Sequence, residues 1–277
     1  MLRTNPIARA KKSFWNKRKY TAKAFIEKVN RAMENVKKHF FIALTIVMNR
    51  DILKQSFRKD GFTDMKINFL GDSITQGAGA SCEATKYVNV VGELLGCEAR
   101  NYGEGGTRIA KQIIPSEMAI YDRDFLMRAD GMSDDADFVF IFGGTNDYGH
   151  GDAPLGDVDS TDEYTFCGAV NSLIGKLSAR YGKDKLCFIL PLHRYNEDNV
   201  YGEGNKTKAG APLSTYVALL KTLMQKHGVE TLEFEKEFPI PATNDGTDGL
   251  TVDGLHPNDK GHRILAEKIC AYIRAKR

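Results

Sequence analysis

The 277-residue chain has room for one large α/β domain, or for a medium domain with an appendage. With 42% apolar and 27% charged residues it reads as a globular protein with a sizeable core. No stretch approaches the roughly 18 unbroken apolar residues that a membrane-spanning helix needs.

The net charge of +3 hides an asymmetry: residues 1–60 carry 16 Lys/Arg against 4 Asp/Glu, leaving −9 on the remainder. All 26 glycines lie at or after Gly61. Two segments of different physics are therefore expected, a basic extension over residues 1–62 and a folded domain over 63–277. From Ile7 to Asp60 neither Gly nor Pro interrupts the chain. Ile26, Met33, Phe40 and Val47 recur every seven residues, with Val29, Val36 and Ala43 three later, which predicts a helical arm with one apolar stripe. Such a stripe wants a partner: its own folded domain, the arm of a second copy in a homo-oligomer, or an anionic membrane surface. Nucleic-acid binding is the remoter reading of the charge. The run Phe40–Met48 is too short and too far from the start for a signal-peptide core, so the expected location is the cytoplasm, with peripheral membrane association through the arm as the alternative.

Beyond Gly61, short apolar runs end in glycine or polar loops. Strands are predicted at Met65–Leu70, just before Asn101, at Phe138–Phe142, at Leu186–Leu190 and at Val229–Phe234. Helix-length patterns lie between them, at about Thr85–Leu95, Thr165–Tyr181, Leu213–His227 and Asp259–Lys276. Strands alternating with helices imply parallel βαβ units and a three-layer α/β domain, whose active crevice opens beyond the carboxyl ends of the strands. The five cysteines are scattered with no metal-ligand spacing, so they read as reduced, mostly buried thiols that pack rather than react.

The points just past the strand ends hold the residues suited to chemistry. Gly71-Asp72-Ser73 follows the first strand, and a serine there presents its hydroxyl beside the free N–H groups of the next helix. A helix-capping serine would look the same in isolation. Asn101-Tyr102-Gly103-Glu104-Gly105-Gly106 crowds glycines where a backbone must come close to a ligand, although turn formation alone would also explain them. Gly143-Gly144-Thr145-Asn146-Asp147 follows the central strand, where an asparagine amide can be aimed at a developing oxyanion or merely form a turn. Near the end stands Asp253-Gly254-Leu255-His256-Pro257-Asn258. Pro257 suits the first turn of the final helix, and Asp253 can curl back onto the imidazole of His256 and fix the tautomer that a nucleophilic serine requires. His39 and His227 read as surface or helix residues, and His262 as packing.

Together and in this order, the blocks Gly-Asp-Ser, Asn-x-Gly-x-x-Gly, Gly-x-Asn-Asp and Asp-x-x-His-Pro resemble the SGNH hydrolases, also called GDSL esterases and lipases. The resemblance runs from about Met65 to the C-terminus. It implies a flavodoxin-like fold of about five parallel strands, with Ser73 as nucleophile, His256 as base and Asp253 as its orienting acid. The oxyanion hole would comprise the N–H of Ser73, the N–H of Gly106 rather than Gly103, and the side chain of Asn146. Asp72 would be structural. The implied mechanism is acyl transfer to Ser73 and hydrolysis of the acyl-enzyme, with no metal or organic cofactor.

Family members cleave acyl groups from sugars, lipids and thioesters, and a fold does not choose among them. Tyr148, His150, His193 and Arg194 follow strand ends and are expected to rim the pocket; their polarity favours a short acyl group, such as O-acetyl on a carbohydrate, or another small ester. Transfer of the acyl group to an alcohol (O-acyltransferase) and lipase or thioesterase action use the same residues. A non-catalytic scaffold with a binding arm is the alternative of another class.

Overall fold

The computed structural model describes Met33, residues 62–204 and residues 206–277. The chain divides into two units, Met1–Lys59 and Asp60–Arg277. The expected apolar stripe of the arm, its partners, the run Phe40–Met48 and His39 lie outside the described residues, apart from Met33, which is helical and exposed.

Five strands form the sheet: β1 (Lys66–Gly71), β2 (Glu98–Gly103), β3 (Phe138–Phe142), β4 (Leu186–Ile189) and β5 (Glu230–Leu232). Their spatial order is β2-β1-β3-β4-β5 and every pairing is parallel. This is the doubly wound, flavodoxin-like order, in which the chain reverses its direction of travel between β1 and β3. The helices are α1 (Ser73–Gln76), α2 (Tyr87–Leu95), α3 (Phe125–Ala129), α4 (Thr145–Gly149), α5 (Phe166–Tyr181), α6 (Leu213–His227) and α7 (Asp259–Ala275).

Strand side chains alternate between the two faces of the sheet, and both faces are covered. Leu70, Val139, Ile141, Leu186 and Phe188 pack with Val170, Leu173 and Leu177 of α5 and Leu220, Leu223 and Met224 of α6. On the other face Ile67, Phe69, Phe140, Phe142 and Ile189 pack with Val88 and Val91 of α2 and Leu265, Ile269 and Ile273 of α7. Phe69 stacks on Phe140 with ring centroids 5.2 Å apart, and Tyr87 meets Phe69 edge-on at 5.6 Å. Cutting one such buried Phe to Ala costs about 3–5 kcal/mol, because the cavity adds to the lost transfer energy.

The helix ends follow the local sequence. Thr165 caps α5 by accepting from the Gly168 N–H, and Asn258 caps α7 by accepting from Lys260 and Gly261. One expectation fails here. Pro257 is not in the last helix but precedes its cap, in an isolated antiparallel bridge with Thr251. Asn258 makes the better cap because its side-chain oxygen can accept hydrogen bonds, so the helix starts two residues later than proline alone suggests. All five cysteines are free thiols; Cys167, Cys187 and Cys270 are buried, and Cys82 is exposed. Among the described residues no helix is long and apolar enough to cross a membrane.

The register places the site. Gly71 pairs with Gly103 on one side and Phe142 on the other, so three strands end level. The segments after them, Asp72-Ser73, Glu104–Thr107 and Gly143–Asn146, emerge together at the point where the topology switches.

Candidate active site

Ser73 is the first residue of α1 and Asp72 is the cap before it, its Oδ1 accepting from the Ile74 N–H at 3.0 Å. The serine side chain is thus spared capping duty and stays available for chemistry. Asp72 is buried, and burial pushes its carboxyl up to about 6 against the opposing Ile74 hydrogen bond and the nearby Arg128 charge. Thr75 and Tyr87 share a buried hydroxyl hydrogen bond of 2.9 Å that anchors the turn to α2.

Ser73 Oγ lies 2.9 Å from His256 Nε2, across 183 residues of sequence. The loop after α1 is sewn onto the start of α7, and that brings them together. Ser81 donates from N and Oγ to the Asp259 carboxylate at 2.8 and 2.6 Å. His262 Nε2 lies 3.1 Å from the Ala78 carbonyl oxygen, the ring is fully buried, and burial lowers its pKa. It serves packing, as its place on α7 suggested. Gly79 sits at φ +87° directly against the Pro257 carbonyl, where a Cβ would overlap it, so only glycine lets the two loops approach so closely.

His256 is held by its own loop. Its Nδ1 is 2.7 Å from Asp253 Oδ2, and its backbone N–H donates to Asp253 Oδ1 at 2.7 Å. Leu255 N–H donates to the same oxygen at 3.1 Å. Burial alone would raise the Asp253 pKa, but these hydrogen bonds outweigh it and hold the carboxyl below its usual range. A carboxylate only accepts, so Nδ1 carries the hydrogen and Nε2 keeps a lone pair facing the serine hydroxyl. A hydroxyl so placed can pass its proton to the ring as it attacks a carbonyl carbon.

The opposite wall is built from β2 and β3. Gly105 N–H donates to Gln76 Oε1 at 3.0 Å, which ties the glycine segment to α1. Gly106 follows at φ +73° with the Tyr121 ring against it, and its N–H takes no part in the loop and cap hydrogen bonds of the described residues. Asn146 is buried in the first turn of α4, and its Nδ2 donates to the Thr107 carbonyl oxygen at 2.9 Å. An amide nitrogen has two hydrogens, so the second remains for another acceptor. Buried Asp147 accepts from the N–H groups of Ile109 and Ala110 at 3.0 and 2.9 Å, and burial raises its pKa against them. The buried Arg128 donates to Thr107 Oγ1 and to the Gly71 carbonyl oxygen, both at 2.7 Å, and also to the Tyr102 carbonyl oxygen. Arg128 is a binder of this wall that no local motif announces; only the tertiary fold brings its helix beneath β1 and β2.

Of the four residues expected to rim the pocket, two are inside the protein. Tyr148 is 1% exposed, its single O–H shared between the carbonyls of Asn196 and Asn199, 2.8 and 3.1 Å away. Arg194 is 6% exposed, stacks over the Tyr148 ring and donates to Thr145 Oγ1 at 3.2 Å and Glu203 Oε1 at 2.8 Å. They support the loops rather than face a ligand, because the backbone at Asn196 and Asn199 and the side chain of Glu203 cover them. Half-buried His193 holds Glu197 at 2.9 Å and lines a cavity of about 210 Å³ whose walls include Leu213, Val217 and Lys221 but no residue of the Ser73–His256–Asp253 group. His150 alone of the four reaches the glycine wall, with Nε2 3.2 Å from the Gly106 carbonyl oxygen. Among the described residues no group of three or more His, Cys, Asp or Glu could hold a metal ion.

Residues 69–264 match the model of the GDSL-like lipase/acylhydrolase family. A solved structure from Lactobacillus plantarum is 28% identical over 77% of this chain and 98% of its own, with a TM-score of 0.63. An acetyl xylan esterase is similar at 23% identity, covering 76% of this chain and all of its own, with a TM-score of 0.51. A carbohydrate acetylesterase from Sinorhizobium meliloti is 16% identical over 76% of this chain and 99% of its own, with a TM-score of 0.55. The last two likenesses speak for the fold. Comparison with curated proteins gives no match.

Proposed function

The chain belongs to the GDSL-like lipase/acylhydrolase family and is a serine hydrolase of ester bonds; from that premise we propose that Ser73 is its nucleophile and that it removes a short acyl group, O-acetyl foremost, from a carbohydrate or similar polar carrier. The observation that carries the catalytic part is the unbroken hydrogen-bonded line Ser73–His256–Asp253. In this reading Ser73 Oγ attacks the acyl carbonyl while its proton passes to His256 Nε2. The negative charge on the carbonyl oxygen is met by the N–H groups of Ser73 and Gly106 and the second Nδ2 hydrogen of Asn146. The ring then gives its proton to the leaving alcohol. Water, deprotonated by the same ring, attacks the acyl-enzyme and frees the acid and Ser73.

Two exposed tyrosines support a sugar as carrier. Tyr121, 39% exposed, packs against Gly106, and Tyr195, 41% exposed, packs against Gly254 beside Asp253. The Tyr121 ring lies at the glycine edge of the site and the Tyr195 side chain starts beside the Asp253 loop; an aromatic ring with a polar tip suits a ligand with apolar faces and hydroxyl edges. The fold shared with carbohydrate acetylesterases agrees with this reading. One observation favours a longer acyl chain: Ile113, Ile114, Met118 and Ile120, on the same segment as Tyr121, are all exposed. A turnover profile across acetyl, butyryl and octanoyl esters of sugars and glycerol decides between them. A serine-directed phosphonate is expected to label Ser73, and labelling at another serine would refute the assignment. Added sugar or alcohol acceptors, followed by product analysis, separate hydrolysis from acyl transfer.

Residues 1–62 contain none of the four sequence blocks, and in this reading they are an accessory arm whose apolar stripe docks on its own domain, on a second copy or on an anionic membrane surface. A chain starting near Gly61 is expected to keep its kcat on a small soluble ester. A collapse of kcat in a folded, truncated protein would make the arm part of the site instead. Where turnover survives, loss of solution mass or of binding to anionic vesicles identifies the partner.

A further inference from the structure

A second acid–histidine pair stands on the far wall of the site. Asn146, in the first turn of α4, and His150, the cap at its end, are one helical turn apart and joined by the His150 N–H to Asn146 carbonyl hydrogen bond of 3.0 Å, and their side chains reach the same segment. They reach two successive carbonyls of the glycine segment: Asn146 Nδ2 bonds the Thr107 oxygen at 2.9 Å, and His150 Nε2 bonds the Gly106 oxygen at 3.2 Å. A carbonyl oxygen only accepts, so Nε2 is the donor.

The other side of the imidazole is braced. Its Nδ1 is 3.3 Å from Glu203 Oε2, and a carboxylate oxygen also only accepts, so the ring that makes both contacts carries a hydrogen on each nitrogen; Glu203 Oε1 takes a 2.8 Å hydrogen bond from the buried Arg194. The Glu203 N–H in turn donates to the Gly149 carbonyl at 2.8 Å, and a Cβ on Gly149 would come within 2.6 Å of Glu203 Oε1. The loop therefore sits flush on the helix end. His150 hydrogen bonding first, opposed by burial and helped by Arg194, holds the Glu203 carboxyl down at about 2.

This bracing is needed because Gly105 and Gly106 place consecutive side-chain-free residues next to Ser73, giving the segment four soft backbone dihedrals. A donor that must meet a developing charge works only if its direction is set beforehand. Gln76 pins one end of the pair through the Gly105 N–H at 3.0 Å.

We propose that His150, braced by Glu203 and Arg194, is a positioning residue for the ester hydrolysis: by holding the Gly106 carbonyl it pins the other end of the glycine pair and aims the Gly106 N–H at the oxyanion. The inference rests on the reading of Ser73 and Gly106 given above. It reassigns His150 from substrate contact to backbone alignment. It also gives the buried Arg194 and Tyr148 a purpose, as the floor on which Glu203 rests.

The test compares His150→Ala, His150→Gln and Glu203→Gln with the full-length parent on a short-chain nitrophenyl ester. For His150→Ala, kcat is expected to fall roughly 10–100-fold with KM within about twofold, as a misaimed catalytic group would cause. His150→Gln keeps a donor near the Nε2 position and should recover most of the loss. Glu203→Gln, which removes the brace's charge but not its shape, should lie between. Affinity for a small boronic acid, whose serine adduct mimics the tetrahedral oxyanion, should fall in step with kcat. A raised KM with unchanged kcat would return His150 to substrate binding and overturn the proposal, as would unchanged kinetics in all three variants. If His150→Ala does not fold, the Gln variants decide alone: parental kcat in Glu203→Gln together with kcat loss in His150→Gln would overturn the brace. Ser73→Ala run beside them separates the two levels. A Ser73→Ala protein that still turns over sinks the catalytic reading itself, whereas an inactive one beside unaffected His150 variants sinks only this inference.

Discussion

The two walls of the site are made in different ways. The acid–base wall is local and wet: Asp253 and His256 are three residues apart, with side chains 45% and 24% exposed. The glycine–asparagine wall is non-local and stands on a dry support. Asn146, Asp147, Thr107 and Arg128 are all buried, and the hydrogen bonds their side chains make to other elements span 21 to 57 residues, beside one local bond from Thr107 to Glu104. The chemistry proposed for the site explains the contrast. A proton shuttle must exchange with water and leaving groups, so a short loop that sets one tautomer suffices. Charge stabilisation needs donors fixed in advance where water does not compete, and that takes a packed scaffold.

The sharpest way to break the comparison is Ser73→Ala, since the serine serves both walls. It is expected to lower kcat on the order of 10⁴-fold or more while the fold survives, measured by steady-state turnover and circular dichroism. Substantial activity in a monodisperse variant would remove the premise. Asn146→Ala probes the glycine–asparagine wall alone. It should lower kcat by roughly 10²–10³ with a smaller change in KM, because the amide matters most as the oxyanion forms; a pure KM effect would place Asn146 in substrate binding.

Stability should separate the walls as cleanly as rate. Asp147→Ala strips the acceptor from two buried N–H groups, those of Ile109 and Ala110. It is expected to cost roughly 2–5 kcal/mol in urea unfolding. Asp253→Ala, on the exposed loop, should change unfolding by less than about 1 kcal/mol while impairing turnover severely. Equal destabilisation by the two would erase the distinction between a local wall and a packed one.

The smallest effect concerns Asp72, which lies under both walls. Its carboxyl is raised by burial to about 6 in the folded protein from 3.8. A raised carboxyl favours the folded state fully only below the unfolded value, and that contribution is lost as pH rises through about 6. Asp72→Asn keeps an oxygen for the Ile74 N–H and has no charge to bury. The variant should therefore gain stability relative to the parent between pH 4 and pH 8, by at most about 3 kcal/mol. Thermal melts at the two pH values test this, and a pH-independent difference would show that Asp72 carries no buried charge.

Much of this molecule was readable before folding was considered. The run Phe138–Phe142 is a strand end to end, and the periodic stretch Leu213–His227 is a helix with the expected bounds, because each carries an unbroken pattern of one period. The pairing of Asp253 with His256 was legible for the same reason, since a three-residue spacing closes the contact within one loop. Tyr148 and Arg194 misled because polar and aromatic residues in a loop look alike whether a later segment covers them or not. Here the loop carrying Glu203 covers them.

Sequence by itself determined the strand and helix periods, the order of the four blocks, the family resemblance and the acid–histidine pair, all of which depend on neighbours a few residues away. Only the tertiary structure decided which side chains are buried and that Ser73 meets His256. It also decided that Arg128 and Asp147 support the glycine–asparagine wall and that His150 faces a backbone carbonyl. These contacts depend on strand order and on which loop packs over which helix. That is set by the burial of two apolar faces summed over the whole sheet, a quantity no single segment carries.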